Sequence, residues 1–277
     1  MVAEAGDTPS AADGVSDEPG PRPFWPWDVL ESRSDLVHDR RAALDAAAGL
    51  RDLRERLQAA MASLDATAPA LFASTRAAAD RIQAENPSAR TLDVVAFRSA
   101  TDAVAARQDV SPESSGALVA YVAAATRLRA SNQAELEERA GPLLDRRLAA
   151  EAFARSLGGG ILLDFDWAPI VNGFGSGGSV GGAATWSTDH GGSATITLSD
   201  SVAEQWPSPL SQALVAHEVG HAVSVRCSDR FDAQSGAANE AWATAWAISR
   251  GFTGDGNGVS IYGPPPQELI DAAATCG

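Results

Sequence analysis

The sequence predicts an α+β protein in which an N-terminal helical bundle is followed by a small mixed domain. Alanine fills roughly a fifth of the 277 residues, a composition rich in helix formers. Apolar residues recur at helical spacing from Ser34 to Leu157. Beyond Gly158-Gly159-Gly160 the pattern changes to short strands, glycine-rich loops and further helices. With 45% hydrophobic and 21% charged residues the chain can bury a core, which excludes a wholly disordered protein.

Residues 1–31 read as a disordered, acidic, Pro/Gly-rich tail, with seven acids, one arginine and almost no apolar bulk before Phe24. The helical domain takes residues 32–158. In it Leu36, Ala43, Leu50, Leu57 and Leu64 recur every seven residues, with Ala46, Leu53 and Ala60 three after the middle ones, so a long amphipathic helix is expected. Pro69 is expected in the first turn of a second helix, which Pro87 stops near Asn86. Another covers about Thr91 to Gln108 on Leu92, Val95 and Val104. Ser111-Pro112-Glu113 places a capping serine before a proline at the first helical position and opens the next helix, which Gly141-Pro142 breaks or restarts.

The remaining domain takes residues 159–277. Ile161 to Phe165 reads as a buried strand, Gly173 to Gly182 as a glycine-rich loop, and Thr195 to Leu198 alternates like a half-exposed strand. Ser208-Pro209 repeats the cap-and-proline start for a helix to about Val225. Ala237 to Ser249 forms another, and a short last helix follows Pro264-Pro265-Pro266. No repeat of the solenoid kind is present.

All 21 basic residues are arginine, and 36 acids oppose them to give a net charge of -15. A surface that repels phosphate this strongly argues against nucleic acid and anionic lipid as partners. The longest charge-free run, Trp167 to Thr188, holds six glycines, so no membrane span is expected. No cationic cap followed by an apolar core marks a secretory signal. Cys227 and Cys276 are the only thiols, and they are either one disulfide of an exported protein or two buried thiols of a cytosolic one. We expect the disulfide, which would favour an extracytoplasmic or secreted location.

The chemistry lies in His217-Glu218-Val219-Gly220-His221, three polar side chains inside an otherwise apolar helix. Histidines four apart stand one turn above each other and can offer two imidazoles to one metal ion, with the glutamate close enough to touch a bound water. Here the chain resembles the zincin metallopeptidases over about Ile196 to Ala247, and the resemblance implies a Zn²⁺ cofactor. A catalytic zinc takes three protein ligands, so a third donor is needed. The metzincin pattern would place a histidine at position 227, which is Cys227. It also needs a glycine where Ser224 stands, and a methionine turn, although Met1 and Met61 are the only methionines. The gluzincin pattern, thermolysin-like, places a glutamate on a second helix, often after asparagine. Asn239-Glu240 fits it, nineteen residues past His221. Arg226 to Ser235 would reverse the chain, and Ala243, Thr244 and Ala247 on the face of Glu240 would let the helices approach closely. Thr244 stands where thermolysin-like enzymes carry an aspartate that orients a ligand histidine, so a carbonyl or another acid must do so here.

The resemblance therefore implies a zinc-dependent metallopeptidase. His217, His221 and Glu240 would be the metal ligands, and Glu218 the base that activates a zinc-bound water. Tyr262 and His190 are the candidates to donate to the oxyanion. The strand Ser193 to Ser199 reads either as a strand that borders the cleft and pairs with extended substrate or simply as a sheet edge, and the Gly173 to Gly182 segment as a plain flexible loop, with a flap over the cleft as the alternative. Asp255-Gly256-Asn257-Gly258 lacks the regular oxygen ligands of a calcium loop and reads as a turn. The expected partner is a peptide or protein substrate. The rival reading is a helical interaction or scaffold protein, whose helical domain binds a protein partner and whose zinc site is structural or degenerate.

Overall fold

The computed structural model describes residues 25–189 and 192–276. Contacts along the chain group residues 1–66 and 67–277 into two units. Of the expected tail, residues 1–24 lie outside the described residues, as does His190, and residues 26–31 are helical, so the disordered reading is corrected there.

The described part of the first unit belongs to α1 (Pro26–Ala84), a helix of 59 residues. The heptad pattern forms the helix it predicts, but no described residue of this unit is buried. Pro69 does not begin a new helix, because α1 continues through it. Proline cannot donate to the carbonyl four residues back, yet Asp65 and Pro69 are both exposed, so solvent can satisfy that carbonyl. One lost hydrogen bond is outweighed by the alanine-rich turns on either side.

In the second unit the last turns of α1 pack on α2 (Thr91–Ala105) and α3 (Pro112–Glu138). Phe72 meets Val104 and Ala117, while Ala79 meets Phe97, Ala125 and Leu128 in a neighbouring cluster. Ser111 starts α3 as expected: its hydroxyl accepts from the Ser114 N–H at 3.2 Å, and Ser114 Oγ accepts from the Ser111 N–H at 2.9 Å. The Gly141-Pro142 break separates α3 from α4 (Leu144–Leu157). α4 packs Ala154 into the larger core formed with the strands and the C-terminal helices.

A buried ion network ties α3, α4 and the first strand together. Arg139, 3% exposed, pairs with Glu135 at 2.9 Å and Glu151 at 2.7 Å, and donates to the Phe165 carbonyl at 2.8 Å. Glu151 also accepts from Trp167 Nε1 at 3.0 Å. Removing one partner would strand a buried charge, which makes the network a specific joint.

Three strands form one sheet in the order β1-β3-β2: β1 (Leu162–Ala168), β2 (Gly182–Ser187) and β3 (Ser193–Ser199). β1 runs parallel to β3 and β2 antiparallel to it. Both readings of Ser193 to Ser199, as a strand open to pair with substrate and as a sheet edge, are therefore corrected. β3 is the central strand, its backbone paired on both sides and its Ala194, Ile196 and Leu198 in the core. β1 and β2 are the edge strands, and β2 begins at Gly182, the last residue of the glycine-rich loop read from the sequence.

After the short α5 (Asp200–Glu204) comes α6 (Pro209–Val223), which lays Val215, Val219 and Val223 on the same core. Ser208 caps α6 by accepting from the Ser211 N–H at 3.2 Å. A loop reverses the chain into α7 (Gly236–Ser249), whose Trp242 and Trp246 are wholly buried. α8 (Val259–Tyr262) and α9 (Gln267–Ala274) close the fold. No described helix is long and apolar enough to cross a membrane.

Cys227 and Cys276 are bonded, with Cα atoms 6.2 Å apart and both residues buried. The bond holds the chain end beside α7, where Trp246 Nε1 donates to the Cys276 carbonyl at 3.1 Å. It closes a loop spanning 49 residues, so replacing both cysteines by serine should lower unfolding stability by about 4 kcal/mol in the chain-entropy account. Denaturant titration of the double variant checks this; an unchanged midpoint would show that the link adds nothing.

Candidate metal centre

α6 presents His217 and His221 on one face, as a spacing of four dictates. Their rings meet edge to face with centroids 4.8 Å apart. Glu240, in the second turn of α7, reaches between them. Its Oε2 lies 3.1 Å from His217 Nε2 and 3.3 Å from His221 Nε2. The close approach of the helices depends on Gly220, where a Cβ would lie 2.9 Å from the Ala243 backbone. The small residues at Ala243 and Ala247 on the facing helix are both wholly buried, in keeping with that approach.

These three side chains form a group that could hold a metal ion, one donor atom from each lying within 4.8 Å of the others. The fit has two further supports. Donors bonded at about 2.0–2.1 Å to a tetrahedral ion stand about 3.3 Å apart, and the two His–Glu separations lie at 3.1 and 3.3 Å. His217 Nδ1 sits 2.9 Å from the carbonyl oxygen of Asn257. With its proton on Nδ1, the ring turns a free Nε2 toward the group. The Asn257 carbonyl thus orients the ring, and the Thr244 hydroxyl lies 3.4 Å from the same nitrogen.

Asn257 lies in the turn expected at Asp255 to Gly258, which forms one turn of 3-10 helix. Its own side chain is fixed at both ends, donating to the Phe252 carbonyl and accepting from the Val259 N–H, each at 3.0 Å. Gly258 follows at φ +94°, and a Cβ there would lie 2.9 Å from His217 Cε1. Only glycine combines that backbone conformation with that proximity.

The second histidine is held differently. His221 Nδ1 is buried without a hydrogen-bond partner among the described residues. Its ring is instead stacked on Trp186 of β2, centroids 5.7 Å apart and nearly parallel. Tyr262, half exposed, stacks on His217 in the same way at 6.0 Å. The two imidazole rings are therefore each backed by an aromatic face.

Glu218 sits beside this group, buried, with its Oε2 unpartnered among the described residues. β2 presses its backbone against it, because a Cβ on Gly182 would lie 2.4 Å from Glu218 Oε1. Burial pushes the Glu218 carboxyl above the usual range, Glu240 adds to that, and the two histidines oppose it. For Glu240 burial also acts upward, but hydrogen bonds and charge from His217 and His221 outweigh it and hold the carboxyl well below the usual range. Burial would lower His217, yet Glu240, Glu218 and the Asn257 carbonyl together raise it. The Tyr262 phenol is raised by burial and by the neighbouring carboxylates, which keeps its proton in place at neutral pH.

A cleft lined by Ala183, Ala184, Trp186, Asn239 and Tyr262 opens onto the group. Beside it lies a mostly apolar pocket of about 250 Å³, lined by Glu218 together with Phe174, Val180, Leu210, Leu214 and Ile261. The Gly173 to Gly182 segment thus borders the site through Phe174 and Val180. All of the sequence-predicted site residues that are described, His217, Glu218, His221, Glu240 and Tyr262, are brought together. Trp186, Gly182 and the Asn257 carbonyl were not anticipated. Asp229 and Asp232 are exposed and outside the group. Comparison with protein families, with curated proteins and with solved structures finds no match for this chain.

Proposed function

We propose that the protein is a zinc-dependent metallopeptidase. The observation that carries the reading is Glu218: a buried carboxylate with an unpartnered oxygen beside a three-donor group. Burying an unpaired carboxyl is costly and contributes nothing to a structural metal site. Structural zinc also takes four protein ligands, whereas three leave a position open for reaction. Both points weigh against the scaffold reading.

Zinc, when bound, supplies a Lewis acid that polarises a carbonyl and lowers the pKa of water to about 7. Glu218 takes the proton of the attacking water on Oε2 and returns it to the leaving nitrogen. Tyr262 retains its hydroxyl proton and donates it as a hydrogen bond to the oxyanion. β2 has one edge paired to β3 and the other without a strand partner among the described residues, so an extended peptide can add there as a further strand. The apolar pocket beside Glu218 receives a hydrophobic side chain of the substrate.

Elemental analysis of protein purified without added metal tests this, with cleavage of a mixed peptide pool before and after chelation. We expect one zinc per chain, and cleavage that chelation removes and zinc restores. Zinc content unchanged when both His217 and His221 are replaced by alanine would end the reading. Tyr262→Phe should keep the metal and lower kcat by about 10²-fold, the usual effect of one lost oxyanion donor. An unaltered kcat would leave the tyrosine only a stacking role.

A further inference from the structure

The first part of α1 carries a seam whose side chains are exposed among the described residues. Ala43, Ala46, Leu50, Leu53, Leu57 and Ala60 repeat every 3.5 residues on average, and all six are exposed. A straight helix turns every 3.6 residues, so a stripe that keeps the shorter period belongs to a helix wound about a partner of the same kind. Both inner positions are apolar over three heptads, the length from which a coiled coil is read, and Val29 and Leu36 continue the first position for two more.

The charges bordering the seam identify the partner. Val29, Leu36, Ala43, Leu50 and Leu57 take the first position of successive heptads. In a parallel, in-register pair the residue before each of them faces the residue five further on in the other copy. Asp28 then meets Arg33 of the second copy and Asp35 meets its Arg40. Next come Ala42 with Ala47, Gly49 with Arg54 and Arg56 with Met61. Two pairs are of opposite charge and none is of like charge. An antiparallel pair centred on Ala47 would instead set Arg40 against Arg54.

We propose that residues 28–61 form a parallel, in-register coiled coil between two copies of this chain. Ser32 and Asp39 interrupt its inner positions. Two facing Asp39 carboxylates weaken the pair, as a polar seam residue does when it fixes register at the expense of stability.

Sedimentation equilibrium of the full chain is the test. The expected mass is twice 28.6 kDa. Leu50→Asp combined with Leu57→Asp should give the monomer, and Asp39→Leu should tighten the dimer by about tenfold or more. Ala46→Cys at an inner position should cross-link two copies on mild oxidation, and Ala48→Cys on the outer face should not. Unchanged circular dichroism outside α1 and an unchanged Cys227–Cys276 bond would show that the remainder stays folded. A wild-type monomer at every soluble concentration overturns the proposal, and so does a dimer indifferent to the Leu50 and Leu57 changes. A dimer that Ala46→Cys fails to cross-link overturns the parallel register.

Discussion

Glu218→Gln should leave the metal bound and remove hydrolysis by about 10²–10⁴-fold or more, the range assigned to a positioned general base. Glutamine keeps the shape that lets Gly182 pack on this side chain, so the cleft should survive. It cannot take a proton at the pH where a carboxylate can. Because Glu218 is buried and its Oε2 unpartnered, the substitution also removes a desolvated charge, and the melting temperature should stay level or rise. Lost activity with a retained metal and undiminished stability separates a base from a ligand and from a packing residue. Activity near that of the wild type would make the proposed proton transfer wrong, whereas lost metal would make Glu218 part of the ligand set.

The metal group was legible because its parts are local or follow from helix geometry. Two histidines at a spacing of four fix their own relation. Glu240 needed a reversal and a second helix, and the small residues at Ala243 and Ala247 signalled that such a helix could come close. What supports the two histidines was not legible, since it arrives from distant segments as shape or as backbone. Trp186 is one aromatic residue in a glycine-rich stretch, and nothing local announces that it stacks on His221. The Asn257 carbonyl is a main-chain atom that every residue possesses. The turn holding it was readable, but its meeting with His217 forty residues away was not.

The fold divides in the same manner. Helix starts at Ser111 and Ser208 were carried by side-chain caps that the sequence displays directly, whereas the Ser235 cap of α7 shows only in the structure. Strand order was not legible, because alternation in Thr195 to Leu198 describes one buried face and is silent on how many neighbours pair with the backbone. The partner β2 contains two alanines and a glycine, too little apolar bulk to register as a strand. At Pro69 the general rule against proline inside helices lost to a long run of good helix formers with the affected turn exposed.

Glu240→Ala is expected to lower zinc affinity by orders of magnitude and abolish cleavage, while Asp229→Ala and Asp232→Ala leave both nearly intact. The carboxylate contributes the only negative charge among the three donors, and its Oε2 lies within 3.3 Å of both imidazoles. Two histidines alone leave two positions of a tetrahedral ion without a protein ligand and do not fix which of them faces the cleft. The aspartates cannot substitute, being exposed in the loop before α7 and outside the donor group. Alanine is a strong helix former, and Glu240 is not part of the core, so α7 should keep its place against Gly220. Competition against a chelator of known affinity, run on all three variants, reads the effect, and circular dichroism confirms that the helices persist. Tight zinc retained in Glu240→Ala, with loss in either aspartate variant, would place the third donor in the loop and overturn the assignment of Glu240.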